Sequence, residues 1–389
     1  MPLKKLMFKP GIDRETTRYT SEGGYYDCDK VRFRSGSPEK IGGWEQVSNV
    51  NTFQGTARSL WPWSTFAYAA YLGVGTNLKY YIMYGGAYND ITPIRSTVTL
   101  TNPFTATNGS AIITVADVAH GCEDGDFVTF SGATGLGGNI TATVLNAEYQ
   151  VTVIDDDSYT ITATATANAT DAAGSPGGGT VTAAYQLNVG NAIQVPLSGW
   201  GGGPWGLGPW GTGSTTIETI RIWNNQNFGE DLLFGPKGGG LYYWDVTSGL
   251  GVRGVAVTSL TGASEVPLYQ NLLVVSDTSR FCLCLGTNDF GSVEIDPMLI
   301  RWSDQESVVN WTPTATNQAG SLRLSHGSEI LGFAQVRQEI LVWTDTSLYS
   351  LQYLGPPVVW GSQLLADNVT ILNDRAMATG AGVTYWMGE

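Results

Sequence analysis

Histidine is almost missing from this chain, with two residues in 389. That leaves little room for His-based acid–base catalysis or a multi-His metal site. Cysteine is also scarce: Cys28, Cys122, Cys282 and Cys284 are too few and too scattered for a disulfide framework. They read as reduced core thiols, and Cys282 and Cys284, two apart, share a face if their segment is a strand. Charged residues make up only 14% of the chain, against about 25% in an average globular domain. This excludes a coiled coil, which needs many charged helix formers. Together with the aromatic content it also excludes a disordered chain. Basic residues are the scarcer sign, 20 against 34 acidic, for a net charge of −14. A protein that wraps nucleic acid is basic, so that class is disfavoured. An acidic surface still suits a task in which DNA slides past without sticking. Long apolar runs are lacking too. Residues 60–74 are interrupted by Pro62 and Ser64 and are too short to span a bilayer. Residues 1–9 hold no apolar core of a signal peptide. The expectation is a soluble protein made in a reducing cytoplasm.

What the chain has in plenty is glycine, 50 residues, and aromatics, with 13 Trp, 18 Tyr and 12 Phe. Strand signals dominate. Tyr149-Gln-Val-Thr-Val-Ile154 and Ser158-Tyr-Thr-Ile-Thr162 alternate on either side of Asp155-Asp156-Asp157, which predicts a hairpin. Ser110-Ala-Ile-Ile-Thr-Val115 and Asp126-Phe-Val-Thr-Phe130 read the same way, joined by a Gly- and acid-rich turn. Thr180-Val-Thr-Ala-Ala-Tyr185 reads as a closing strand. Residues 96–190 thus form a Thr/Val/Ala-rich all-β unit, poorer in aromatics than its flanks. The flanks carry repeated strand–turn–strand units. Residues 272–285 lie over residues 340–353 with their Asp-Thr-Ser triplets in coincidence. Weaker copies start at Tyr71 and Leu232. Starts at 232 and 272 are one propeller blade apart, while the next start, at 340, breaks the period. A hairpin of this kind cannot bury its own face and needs stacked neighbours.

The fold class expected is therefore all-β: an irregular β-propeller-like body with an inserted small β-barrel or sandwich domain. The alternative is a β-sandwich with generic hairpins. Residues 1–95 would form the first part of the body and a docking segment, residues 96–190 the insertion, and residues 191–389 the rest of the body. The strand beginning Thr384-Tyr-Trp-Met387 has no visible partner and would expose an aromatic edge. Either further polypeptide or another chain is expected to cover it.

Chemistry-bearing clusters are few. His120-Gly-Cys-Glu-Asp-Gly-Asp126 gathers ligand types, but no second ligand group follows at standard spacing, which favours a polar turn. Asp155-Asp156-Asp157 offers oxygen ligands for calcium and reads more simply as a solvated hairpin tip. Asp304 and Glu306 follow Trp302, as paired carboxylates do in glycosidases, although charges at such spacing usually face solvent. No nucleophile elbow or phosphate loop is present. The reading is of a non-enzyme with no catalytic residues and no cofactor or metal. Trp200, Trp205 and Trp210 recur every five residues in a Gly/Pro matrix that precludes a helix. Three indoles on a loop must pack on this chain, a partner subunit or a sugar. They are candidates for a subunit interface. Arg32 and Arg34, in Val31-Arg-Phe-Arg34, form a basic end on an acidic body: either a docking surface for an acidic neighbour or an edge strand guarded by charge.

Several segments taken together resemble the nozzle, or DNA-stabilisation, family of short-tailed bacteriophage tail proteins. They are Phe8-Lys-Pro-Gly-Ile12, Tyr25-Tyr26-Asp27, Val31-Arg-Phe-Arg34, Pro38-Glu-Lys-Ile-Gly-Gly-Trp44 and Asp90-Ile-Thr-Pro93. With them go the Trp/Gly segment 199–211, Leu299-Ile-Arg-Trp-Ser-Asp304, Trp311-Thr-Pro-Thr and Asn317-Gln-Ala-Gly320. The resemblance covers residues 1–95 and 195–389, and the Thr-rich unit between them looks like the small β modules such proteins carry as insertions. It implies a homo-oligomeric ring of six copies in the virion tail, assembled in the host bacterial cytoplasm. The ring would hang below the portal and tail adaptor and meet tail spikes, fibres or a needle. Its lumen would retain the viral double-stranded DNA and then pass it without specific binding, and an acidic lumen suits that task. The alternative reading is a carbohydrate-binding, lectin-like β-propeller that uses Trp200, Trp205 and Trp210.

Overall fold

A computed structural model of the chain describes residues 9–17, 19–20, 23–43, 52–168, 177–194, 220–277 and 279–388. The chain divides into two compact units, residues 1–52 and 53–389. In the first, β1 (Val31–Arg34) and β2 (Ser37–Lys40) form an antiparallel hairpin. The two-residue period of a strand puts Val31 and Phe33 on its half-buried face and Arg32 and Arg34 on its exposed one.

The second unit is all-β apart from single helical turns. Its first sheet is a meander of β3 (Ala57–Ser64), β4 (Ala70–Thr76), β5 (Tyr80–Tyr84) and β6 (Ala87–Asp90). The chain then leaves the meander. It runs through β7 (Ile94–Thr101), β8 (Phe104–Ala106), β9 (Ile112–Ala116), β10 (Phe127–Ser131) and a one-turn helix α1 (Ala142–Leu145). Then come β11 (Glu148–Gln150), β12 (Thr152–Asp155), β13 (Ser158–Thr162) and β14 (Thr180–Gln186). Three more four-stranded meanders follow. The second sheet is β15 (Trp223–Phe228), β16 (Asp231–Pro236), β17 (Tyr242–Trp244) and β18 (Val255–Ala256). The third is β19 (Gln270–Val275), β20 (Cys282–Asn288), β21 (Ile295–Trp302) and β22 (Gly320–Arg323). The fourth is β23 (Ile330–Gln335), β24 (Glu339–Thr344), β25 (Ser347–Gly355) and β26 (Val359–Asp367). A hairpin, β27 (Met377–Gly380) with β28 (Val383–Trp386), stands fifth.

Antiparallel four-stranded meanders in chain order are the build of propeller blades. The first strands of successive sheets pack on one another: β3 on β15, β15 on β19, β19 on β23, and β23 on β27. Each pair of sheets shares an apolar core. Tyr80 and Ile82 meet Trp223, Leu232 and Phe234 between the first and second sheets. Leu233 and Leu241 meet Leu273, Cys282 and Cys284 between the second and third. Leu283 and Leu285 meet Ile340, Val342 and Leu351 between the third and fourth. Leu341 and Trp343 meet Ile371 on the side of the fifth. β20 shows the rule, with cysteines facing one neighbour and leucines the other.

Polar side chains of the first strands staple neighbouring sheets. Trp223 Nε1 donates to the Thr76 carbonyl at 2.6 Å, and Tyr80 Oη to Asn225 Oδ1 at 2.6 Å. Asn224 Nδ2 donates to Gln270 Oε1 at 2.6 Å. Gly75 makes room for this packing, because a Cβ there would come within 2.5 Å of the Trp223 ring.

β7–β14 form two four-stranded sheets, in the orders β11-β10-β14-β7 and β12-β13-β9-β8. They close on one core that includes Phe104, Ile113, Val128, Phe130, Tyr159 and Ile161. This is a sandwich, not a closed barrel. Its entry and exit strands lie side by side, with Ile94 opposite Gln186. The hairpin expected at Asp155–Asp157 forms, with Asp155 opposite Ser158. The segment before it is divided, since Glu148–Gln150 joins one sheet and Thr152–Asp155 the other. The strands at Ile113 and Phe127 do not pair as a hairpin. β9 pairs with β8 and β13, while β10 pairs with β11 and β14. Residues 117–126 cross between the sheets, and alternation alone carries no record of such a crossing.

Two further readings are corrected. The triplet overlay superposes unlike strands, because residues 272–285 are the first and second strands of their sheet and residues 340–353 the second and third. Counted on first strands, which start at Trp223, Gln270 and Ile330, the sheets are 47 and 60 residues apart, so the repeat is uneven in length. The strand at Thr384 does have a partner, β27, whose Met-Ala-Thr-Gly sequence carries too little pattern to be read as a strand.

One charge network ties the sandwich to the body. Lys79, buried at the start of β5, places Nζ 3.0 Å from Asp90 Oδ2 and against Glu148 of the sandwich. Arg253, ahead of β18, is 3.3 Å from both carboxylates. Lys79 Nζ also stands 4.3 Å from the Phe127 ring centre. Two cations and two carboxylates thus join the first sheet, the second sheet and the insertion. Lys79→Met leaves two half-buried carboxylates sharing one arginine. We expect a loss of about 2–3 kcal/mol, read as a lower urea midpoint. An unchanged midpoint would show the network to be neutral.

Candidate functional site

The first strands of the four meanders converge at their C-terminal ends on an open depression of about 590 Å³. Trp61 comes from β3, Gln226 and Asn227 from β15, and Phe333 and Gln335 from β23. The turn after β19 adds Asp277 and Arg280. The volume falls within the ~300–1,000 Å³ of small-molecule sites. Trp61 is held by its Nε1, which donates to Asn227 Oδ1 at 2.6 Å, while Asn227 Nδ2 donates to the Asp231 carbonyl at 3.3 Å. Gln335 Nε2 donates to the Val275 carbonyl at 3.2 Å.

The charged groups here are less committed. Among the described residues, Asp277 has no ion pair or hydrogen-bond partner for its carboxylate, and burial pushes that carboxyl above the usual range. Arg280 sits in the left-handed region, φ 52°, with its guanidinium carbon 5.8 Å from the Phe228 ring centre. The result is a depression with two aromatic walls, three amides and one charge of each sign. The sequence reading missed it, since its residues lie on four strands far apart in the chain. The one local signal is the amide-rich run Trp223-Asn-Asn-Gln-Asn-Phe228, which has no apolar alternation and is an unusual strand composition.

The sequence-derived candidates fall elsewhere. Trp200, Trp205 and Trp210 lie outside the described residues. Arg32 pairs with Glu39 across the β1–β2 hairpin at 3.3 Å, whereas Arg34 is exposed beside it. The two acid-rich turns of the insertion, distant in sequence, are packed on each other. His120 Nε2 donates to the Asp155 carbonyl at 2.9 Å, while its Nδ1 accepts from the Cys122 amide at 2.9 Å. Asp157 Oδ1 accepts from the Ala119 amide at 3.0 Å. Asp126 accepts from the Glu123 amide at 3.0 Å and the Val189 amide at 2.7 Å. These side chains stitch turns together. Among the described residues no group of three His, Cys, Asp or Glu side chains is arranged to hold a metal ion.

Asp304 Oδ1 accepts from the amides of Gln305 and Gln318, both at 2.9 Å, and so closes the loop between β21 and β22. Glu306 is exposed in that loop at φ 55°. Arg301, from the same stretch, is buried, donates to the carbonyls of Asn288 and Glu265, and lies 4.0 Å from the Phe290 ring centre. Cys282 and Cys284 share a face of β20, as their spacing predicts, and all four cysteines are free. Among the described residues no helix is long and apolar enough to cross a membrane.

No family model matches the chain, and no curated protein does. Among solved structures it is similar to the Phage phi92 endosialidase at 14% identity and a TM-score of 0.27, over 90% of this chain and 55% of that one. The chain therefore spans little more than half the length of that protein, and a TM-score so low carries no argument about fold or activity.

The buried thiols and phenols generate a pH prediction. Burial pushes Cys282 up to about 12, Cys122 to about 11 and the Tyr81 hydroxyl to about 12, from ordinary values of 9.0 for cysteine and 10.0 for tyrosine. The folded chain holds these protons more tightly than the unfolded one. Their contribution is complete below about pH 9 and is lost as pH rises toward about 12. The urea midpoint should be flat across neutral pH and fall above about pH 9. A thiol reagent at about pH 8 should leave Cys282 and Cys284 unlabelled until the chain is unfolded. Rapid labelling of either in the native protein would contradict the burial.

Proposed function

We propose that this chain is a non-enzymatic structural subunit of the tail nozzle of a short-tailed phage. It would form a ring of six copies below the portal and adaptor that retains the genome and then passes it during ejection. The observation that carries the reading is the set of segments between Phe8 and Gly320 that resemble that family and occur in its order. Their places in the fold support it. Asp90-Ile-Thr-Pro93 is the junction between β6 and β7, where the inserted sandwich begins. Leu299–Asp304 supplies the buried Arg301, and Trp311 is wholly buried between sheets.

Two further features fit a ring subunit. The fifth hairpin leaves Val383, Tyr385, Trp386 and Met387 exposed, an apolar surface of the kind that subunit contacts cover. A net charge of −14 suits a conduit whose walls repel phosphates. Spikes, fibres or a needle are the outer partners this reading implies.

The test is mass spectrometry of purified virions from the source together with averaged electron cryo-microscopy of their tails. The reading expects the chain in a symmetric ring around the channel. Virions that lack it would overturn the proposal. A second expectation concerns the Trp-rich segment. Trp205→Ala with Trp210→Ala should weaken ring assembly, measured by mass photometry, and leave the monomer's melting temperature in place. Unaltered assembly would remove these residues from the interface.

A further inference from the structure

We propose that the depression at the converging first strands is a binding site for an acidic saccharide, one whose sugar carries a carboxylate, as a hexuronate does. The inference does not depend on the tail reading, because it uses none of the segments that carry that reading apart from the body that holds the site.

The argument runs through the lining. Trp61 and Phe333 bring aromatic surface to an otherwise polar depression, and sugars present apolar C–H faces that pack on such rings. Trp61 is pre-set, because its Nε1 is already used on Asn227, itself tied to the Asp231 carbonyl. A ligand therefore finds the ring in place and loses little entropy in ordering it. Gln226 makes no side-chain hydrogen bond among the described residues, and Gln335 uses one donor and keeps its carbonyl oxygen. Amides supply both donors and acceptors, which is what a polyol needs.

The charges set the class. Arg280 lines the depression and has no carboxylate partner among the described residues. A guanidinium favours a planar oxyanion such as a carboxylate, which it can bind through two parallel hydrogen bonds. Asp277 is the counterweight. It too lacks a partner among the described residues, and it can accept from hydroxyl groups while repelling a second negative charge. A phosphate monoester or a nucleotide would bring two or more negative charges beside Asp277 and only one cation to meet them. A carboxylate with hydroxyls around it satisfies both residues. Four separate strands contribute to the site and none moves without its sheet, so the lining is held in place.

The probes are the methyl glycoside of galacturonic acid, which carries one carboxylate, and its methyl ester, titrated into the full chain by calorimetry at millimolar concentration. The expected result is binding of the acid, with the ester at least about tenfold weaker because the charge-assisted hydrogen bonds are lost. Arg280→Gln, an exposed position, should lower affinity for the acid to that for the ester and keep the melting temperature. Asp277→Asn should weaken both probes alike. Trp61→Phe, which keeps an aromatic wall but loses the Asn227 bond, should weaken both through poorer positioning. No binding of either probe, equal binding of acid and ester, or undiminished binding by Arg280→Gln would each overturn the proposal. Any of these outcomes leaves the presence of the chain in virions, the test of the tail reading, untouched.

Discussion

The meanders of this body are apolar on both faces, and that constraint organises the rest. A strand such as β20, with Cys282 and Cys284 on one face and Leu283 and Leu285 on the other, has no side to offer to water. β16 and β24 follow the same rule. The second, third and fourth sheets each stand between two others, and the stack is stable only as a series. Right-handed twist in each sheet brings the first strands together. Those strands carry polar side chains because their edges face one another across a narrow gap, in which a backbone carbonyl or amide must find a partner. Asn224, donating to the Asn271 carbonyl, and Gln270, donating to the Pro236 carbonyl, meet that need between sheets, as does the Trp223 indole on the Thr76 carbonyl.

The inserted sandwich answers a different constraint. It has its own core and needs nothing from the body for its apolar surface. What it needs is a fixed attitude. The side-by-side strands β7 and β14 give it a two-stranded stalk, and the Lys79, Asp90, Glu148 and Arg253 network pins it beside the first and second sheets. Buried ion pairs of this kind contribute little net stability and a defined geometry. The polar turns at His120 and Asp155 do comparable work within the sandwich, since each closes the crossing between its two sheets.

The depression at the first-strand ends is a by-product of the same stacking. Four sheets that meet through their first strands leave an open depression at the C-terminal ends of those strands. Its walls come from Trp61, Gln226 and Phe333, residues that in their own segments look like ordinary strand positions. Asp277 and Arg280 belong to a turn whose Asp-Thr-Ser triplet is matched at Asp345, where the aspartate instead holds Ser328. The same local sequence thus gives a committed carboxylate in one sheet and, in another, one with no partner among the described residues.

Composition and period were enough for the all-β class, because two-residue alternation and glycine turns are local properties. Cys282 and Cys284 share a face for the same local reason. Pairing was not local. β9 and β10 part company, the triplets at 277 and 345 mark unlike strands, and β28 finds β27, because a partner is selected by where the chain crosses between layers. Asp304 and Glu306, read from sequence as charges that face solvent, divide: Glu306 is exposed in a turn and Asp304 closes its loop, since a carboxylate's role depends on which amides reach it. The charge clamp and the depression depend on tertiary structure for the same reason: their members are separated by tens to hundreds of residues and meet only once the sheets have stacked.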